Sequence, residues 1–346
     1  MEKTKFTILG MTGSGKTCYM LGMYYEVSAG MNGYTIVADD RDTDHKLAQR
    51  YDMLNDKSRG RDRFPQATDQ VESFLFNLQY AYEDIMQFEW LDYPGGILDF
   101  RNTADESREE LVKSVKESSV LMVCIDGSDF CGNNIRSKIN KVRRSSGNIN
   151  RFFSEYMKNS DWLPPIAFVV TKYDLCCHDT NEEEIKDVIE ESFPGLFIKN
   201  DEDNEKIPFP ISIIPVSLGV GIEDDESRGD LEPINIQVPI FYGIWFSLIF
   251  KHIEYENAQK YISEEIEKLD SQKRDEEDSF FLWRSNDKIR KLRNDIEEGK
   301  SILNELKNIN RAMEKSRNKL DRELSAINMV YFEGKWGTWH DIEEAK

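Results

Sequence analysis

Eight consecutive residues, Gly10-Met11-Thr12-Gly13-Ser14-Gly15-Lys16-Thr17, satisfy the pattern G-x-x-x-x-G-K-[ST] in full. Gly10, Gly13 and Gly15 let the backbone bend so that successive N–H groups, that of Ser14 among them, aim at phosphate oxygens beside a helix N-terminus. Lys16 is placed to neutralise β- and γ-phosphates and the Thr17 hydroxyl to hold Mg²⁺, with Cys18 extending the lining into the helix. The apolar run at 6–9 reads as the strand that feeds the loop, and a helix follows Gly15. That strand–loop–helix context is what separates a phosphate site from a chance glycine-rich turn.

A second group of candidates is Trp90-Leu91-Asp92-Tyr93-Pro94-Gly95-Gly96. Asp92 emerges from an apolar run, where a carboxylate can hold Mg²⁺ through water, and the Gly95 N–H can approach a γ-phosphate. Upstream stands Phe64-Pro65-Gln66-Ala67-Thr68. The runs 73–80 and 85–91 are separated by four residues, too few for a crossover helix, so they form an antiparallel hairpin. The chain leaves Thr68 along one strand and returns to Asp92 along the other, which brings a hydroxyl to the metal shell. Thr43 is the competing hydroxyl, and Thr68 is preferred on this path.

A phosphate loop does not tell adenine from guanine. Thr171-Lys172-Tyr173-Asp174 directly follows the apolar run 166–170. There Asp174 can accept from guanine N1–H and its exocyclic amine, a pair adenine lacks, while the Lys172 stem covers the ring face. Ser217-Leu218 end the last apolar run, where a backbone N–H can meet guanine O6.

The elements that must position these residues alternate as short apolar runs and helix-like segments. Strands are predicted at 6–9, 73–80, 85–91, 120–125, 166–170 and 211–216. Helices are predicted after Gly15, over 105–118, 134–158 and 182–191, and from Pro239 to about 254. The fold class is therefore α/β, a mostly parallel six-stranded sheet with one antiparallel edge hairpin. Residues 30–70 read as an extended polar loop with one helix near 44–54. Ile240, Phe241, Ile244, Trp245, Leu248 and Ile249 form one stripe at helical spacing, which predicts packing on the sheet.

Beyond residue 254 the composition shifts to Glu, Lys, Arg and Leu without proline. A 3,4 alternation from Ile289 to Ile327 predicts a coiled-coil helix with Gly299, Asn310 and Arg317 as weak layers. Residues 255–270, with Ala258, Ile262, Ile266 and Leu269 on one face, supply a second arm. The division is a nucleotide domain at 1–254 and a helical region at 255–346. The helices either close on themselves or serve self-association or a protein partner through 255–330. Residues 330–339 suggest a small hairpin whose aromatics dock on the helices or on a partner.

The chain has 346 residues and a formal net charge of −20, concentrated before residue 255. So acidic a surface repels nucleic acid and anionic membrane, and neither is expected as a partner. Five cysteines and four histidines show no metal-ligand spacing, which argues for a reducing compartment and no disulfide framework. The longest apolar run, 238–250, is shorter than the roughly 20 residues that span a bilayer. With an apolar strand beginning at once after residue 5, a cytoplasmic location is expected.

In this order, each at a strand end, the motifs resemble those of the Ras-like, translation-factor-related (TRAFAC) class of P-loop GTPases, over about residues 1–254. Gly10–Thr17 matches the first motif, Asp92–Gly95 the third, Thr171–Asp174 the fourth and Ser217-Leu218, loosely, the fifth. Thr171 stands where that class usually has Asn, and Leu218 where it usually has Ala. Phe-Pro-x-x-Thr before the hairpin and Asp-Tyr-x-Gly-Gly after it are similar to bacterial conflict-system proteins called double-GTPases, although this chain carries a single such loop. The resemblance implies a Mg²⁺-dependent GTP/GDP switch hydrolysing GTP, with Lys16, Thr68 and Gly95 at the γ-phosphate. Gly96 stands where Ras-like enzymes commonly have the water-orienting Gln, so slow intrinsic turnover is expected. Arg59, Arg61 and Arg63 precede Thr68, and Arg63 is the favoured candidate for a cis arginine finger.

Overall fold

Every residue of β1 (Thr4–Gly10) except half-buried Lys5 is buried, so the strand has neighbours on both sides and cover on both faces. The computed structural model describes residues 4–98, 105–160, 162–176, 180–197, 210–222, 229–278 and 286–344. After β1 come α1 (Lys16–Ser28), β2 (Tyr34–Ala38), α2 (Arg41–Asn55), β3 (Glu72–Tyr80), β4 (Glu83–Asp92), α3 (Asp105–Glu117) and β5 (Ser118–Asp126). Then follow α4 (Ile135–Ser145), α5 (Gly147–Asn159), β6 (Ile166–Thr171), α6 (Glu182–Ser192) and β7 (Ile211–Pro215). The chain ends with α7 (Val238–Asp278), α8 (Asn286–Leu324), β8 (Val330–Phe332), β9 (Lys335–Gly337) and α9 (Trp339–Glu344).

Among the described residues the sheet is mixed and has nine strands, ordered β2-β3-β4-β1-β5-β6-β7-β8-β9, where six were expected. The block β4-β1-β5-β6-β7 is parallel. β3 is antiparallel to β4, as the short gap requires, and the connection is tighter than foreseen. Ala81 and Tyr82 both have positive φ, 51° and 66°, the backbone of a two-residue primed turn.

The three additional strands lie at the edges. β2 pairs antiparallel with β3, so the expected hairpin is not an edge. Tyr34, Ile36 and Ala38 are buried and alternate with more exposed Thr35 and Val37, a half-buried period-two pattern inside the segment read as a polar loop. β8 pairs antiparallel with β7 and β9 with β8, so the hairpin at 330–337 docks on the sheet. The expected helix over 134–158 is two helices, α4 and α5, parted at Ser146.

Two compact units result: residues 1–246 with 322–346, and residues 247–321. The expected division at 254 placed the last residues with the helices, whereas β8 and β9 complete the sheet of the first unit. The predicted stripe at the start of α7 is buried at Ile240, Phe241, Ile244 and Trp245. A Cβ built on Gly243 would stand 2.7 Å from Val120 Cγ1 and 3.3 Å from Phe6 Cζ, so glycine permits the close seat on β1 and β5.

The second unit is a helical hairpin. Ile266 of α7 meets Gly299 of α8, where a Cβ would lie 3.0 Å from Ile266 Cγ1. Lys288 pairs with Glu276 at 2.6 Å and Arg293 with Glu277 at 3.0 Å. Positions rise on one helix as they fall on the other, which makes the pair antiparallel. Asn310 of α8 is buried with Oδ1 unpartnered.

Candidate functional site

The five parallel strands end on one edge, and their carboxyl ends carry Gly10, Asp92, Asp126, Thr171 and Pro215. Ligands of open α/β sheets bind at that edge. At the end of β1 the loop turns through Gly13 (φ 83°) and Gly15 (φ 81°), left-handed values that favour glycine. Gly10 is glycine for a different reason, since a Cβ there would lie 3.0 Å from the carbonyl of Cys124 on β5. The Lys16 ammonium folds back over the loop and donates to the Gly10 carbonyl at 2.9 Å and the Met11 carbonyl at 3.3 Å. Burial lowers its pKa against the opposing pull of Asp92. Ser14 Oγ is buried with no partner.

Next to this loop stand the candidates for metal. Thr17 Oγ1 lies 3.1 Å from Thr68 Oγ1 and donates to Asp92 Oδ2 at 3.1 Å. Asp92 is fully buried, and its other oxygen, Oδ1, has no hydrogen-bond partner. Burial pushes its pKa up to about 6, against the lowering effect of the Lys16 charge and the Thr17 hydroxyl. A buried carboxylate with one orphaned oxygen, its other oxygen bonded by the Thr17 hydroxyl that in turn meets Thr68, fits a hard cation that takes oxygen ligands, such as Mg²⁺. Thr43, the competing hydroxyl, belongs to the first turn of α2, where its amide caps on Asp40 at 2.8 Å.

Gly95 presses on the phosphate loop. A Cβ on it would stand 2.2 Å from the Thr12 amide nitrogen, so no other residue fits without moving backbone. Gly96, by contrast, faces space with nothing within 4 Å of a built Cβ.

A cleft joins these parts, lined by residues 12–18 and 64–68 together with Gly95 and Lys172. Arg63, expected at the phosphates, does not line this cleft. Its guanidinium is buried, with Nε donating to the Leu54 carbonyl at 2.6 Å and Nη1 directed at the Gly229 carbonyl at 3.5 Å.

The base-side candidates meet in a second cleft. Thr171 Oγ1, buried, has the Ser14 carbonyl at 2.7 Å and the Ile125 carbonyl at 3.1 Å, so it braces the phosphate loop. Asp174 Oδ1 accepts from Ser217 Oγ at 2.6 Å, and Ser217 Oγ in turn accepts from the Gly219 amide at 3.0 Å. The bulk of Leu218 is taken up by a gap on α1, because a Cβ on Gly22 would lie 2.3 Å from Leu218 Cδ2. Lys172 adopts the left-handed conformation (φ 50°), and its ammonium pairs with Asp126 Oδ2 at 2.8 Å.

Asp126 was missed from the sequence; its signal was a carboxylate at the end of a parallel strand. Phe64 was named only as part of a motif, yet it lines both clefts. Among the described residues no group of three or more His, Cys, Asp or Glu could hold a metal ion. No described helix is long and apolar enough to cross a membrane.

Three of the similar solved structures each cover a little over three-fifths of this chain. A signal recognition particle receptor SRβ–GTP/SRX complex from Chaetomium thermophilum is 11% identical, with 63% of this chain and 91% of that chain covered and a TM-score of 0.37. The GTPase-like domain of Ski7 from S. cerevisiae bound to GTP is 15% identical, covering 62% and 42%, with a TM-score of 0.33. The same domain bound to GDP and inorganic phosphate is 17% identical, covering 62% and 43%, with a TM-score of 0.32. No curated protein matches the chain. A family model described as Double-GTPase 2 matches residues 6–201, a span that holds the phosphate loop, the Asp92–Gly95 turn and the Thr171–Asp174 segment, and the chain belongs to this family of GTPases.

Proposed function

We propose that the protein binds GTP with Mg²⁺ and hydrolyses it slowly to GDP and phosphate, acting as a nucleotide-controlled switch. The observation that carries this reading is the meeting of Thr17, Thr68 and Asp92 beside the Lys16 ammonium. Thr17, Thr68 and Asp92 would hold the metal, which supplies charge neutralisation at the phosphates when bound. The backbone from Gly10 to Gly15 and the Lys16 side chain bind the phosphate chain, and Cys18 lines the passage to the base. Gly95 offers its N–H at the γ-phosphate, and Thr68 orders its own loop when that phosphate is present. Asp174 reads the base, held by Ser217, while Leu218 closes the rim and Lys172, pinned by Asp126, covers the ring. The helical region passes the change to a partner or a second copy, and the protein works in the cytoplasm.

A second reading is a GTP-binding scaffold with negligible turnover, favoured by the missing side chain at Gly96. Multiple-turnover phosphate release separates the two. A rate above that of a Lys16→Ala control supports the enzyme, and an indistinguishable rate supports the scaffold. Competition of GDP with ADP tests the base assignment, since equal affinities would point to an ATPase of the wider P-loop class.

A further inference from the structure

Beyond Leu218 the base-side loop doubles back on itself. The chain turns at Gly219 (φ 140°), and the Glu232 amide donates to the Leu218 carbonyl at 2.8 Å. The Ile234 amide donates to the Ser217 carbonyl at 2.9 Å, and the Ser217 amide to the Ile234 carbonyl at 3.2 Å. Residues 229–234 thus lie alongside the residues that read the base, and any displacement of one line is felt by the other.

Across the cleft, the loop that ends in Thr68 begins with a 3-10 segment, Lys57–Arg63. Two contacts tie it to the doubled-back strand. The Lys57 ammonium pairs with the Asp230 carboxylate, and Arg63 Nη1 is directed at the Gly229 carbonyl at 3.5 Å. Arg63 is 2% exposed, its Nη2 has no partner, and its Nε holds Leu54 at the end of α2. A buried guanidinium is costly where an apolar side chain would fill the space, so its retention asks for a task. The residue that follows, Phe64, forms wall in both clefts, and four positions later Thr68 meets Thr17.

We propose that Lys57 and Arg63 are positioning residues that lock the metal-side loop to the base-side loop, so that filling the base cleft and placing Thr68 are one event rather than two. This rests on the guanine-nucleotide reading above. A ligand that orders 217–219 orders 229–234 through the backbone pairing, and the lock passes that order to 57–68. The device reassigns Arg63 from a charge delivered to phosphate to a strut that selects the loop position.

Amide hydrogen exchange on the full chain tests the lock, comparing wild type with Lys57→Asp, Asp230→Lys and the double reversal. Both positions are surface exposed, so the fold tolerates the changes. Without nucleotide, each single reversal should speed exchange roughly three-fold in both 57–68 and 229–236, and the double reversal should restore it. Acceleration confined to the substituted segment, or a double reversal that restores nothing, overturns the lock. With GDP added, wild type should slow in both segments, whereas the single reversals should slow on the base side only. GDP slowing both segments equally in the single reversals also overturns it. If GDP protects neither segment of wild type, the guanine-nucleotide reading falls, and the nucleotide-free comparison still decides the lock.

Discussion

The hydroxyls of Thr17 and Thr68 stand 3.1 Å apart although 51 positions separate them in the chain. The hairpin of β3 and β4 sets this distance. Its register puts Glu72, just beyond Thr68, opposite Asp92, and Thr17 donates to that same Asp92. Glu72 is itself held by Arg50 through two bonds of 2.8 and 2.9 Å, so the carboxylate opposite Asp92 does not add an uncompensated like charge.

Lys16→Ala removes the charged contact proposed for phosphate and should weaken GTP binding roughly 10- to 100-fold, the worth of one charge-assisted hydrogen bond. Titration calorimetry reads it. Unchanged affinity would mean the phosphates bind elsewhere.

Asp92→Asn should separate stability from function. Because burial pushes the folded-state pKa of Asp92 up to about 6, the stability it confers is present below its unfolded value and lost as pH rises through about 6. The cost at neutral pH is on the order of 2–3 kcal/mol in the metal-free protein. The neutral isostere should therefore melt higher than wild type at pH 7.5 without metal, with the gain shrinking near pH 5, while Mg²⁺ stops raising its Tm. A Tm deficit that stays constant across this range would show that Asp92 has a structural role instead.

The two glycines of the Asp92 turn should behave oppositely. Gly95→Ala drives a Cβ to within 2.2 Å of the Thr12 amide and should cost about 1–3 kcal/mol of stability and abolish turnover. Gly96→Gln enters open space, should leave stability within about 0.5 kcal/mol, and supplies the water-orienting group that the sequence lacks. Thermal melts and single-turnover hydrolysis measure both. Equal damage from the two changes would refute the assigned geometry.

Asp174→Asn keeps an acceptor for Ser217 but replaces the anionic acceptor with a neutral amide. The preference for GDP over ADP should fall roughly ten-fold or more. Competition binding measures it, and a retained preference would place base reading on other residues.

Much of the site was legible because it is local. Gly10–Thr17 and Thr171–Asp174 take their place from backbone shape and one or two side chains at a strand end, which sequence order alone fixes. What was not legible depends on partners distant in the chain. The role of Thr171 as a brace needs the Ser14 carbonyl, and the pinning of Lys172 needs Asp126. Arg63 looked available for phosphate because it precedes Thr68, but Leu54 and Gly229 claim its guanidinium. Strand β2 escaped notice since its five residues sit between Gly33 and the Asp39-Asp40 pair, where polar neighbours mask the alternation of Tyr34, Ile36 and Ala38. The hairpin of β8 and β9 was visible as a turn, Glu333-Gly334 with φ 50° and 82°, but nothing in its own residues says which strand it joins.

That Tyr331 pairs with Ile211 means synthesis reaches the sheet's final partner long after β7 has been made. Until residue 330 emerges, the outer rim of β7 offers unsatisfied amides and carbonyls to any passing extended chain. Closing so long a span is slow even though its entropic cost grows only logarithmically. Nascent or shortened chains that stop before this point should be the ones that aggregate and recruit chaperones.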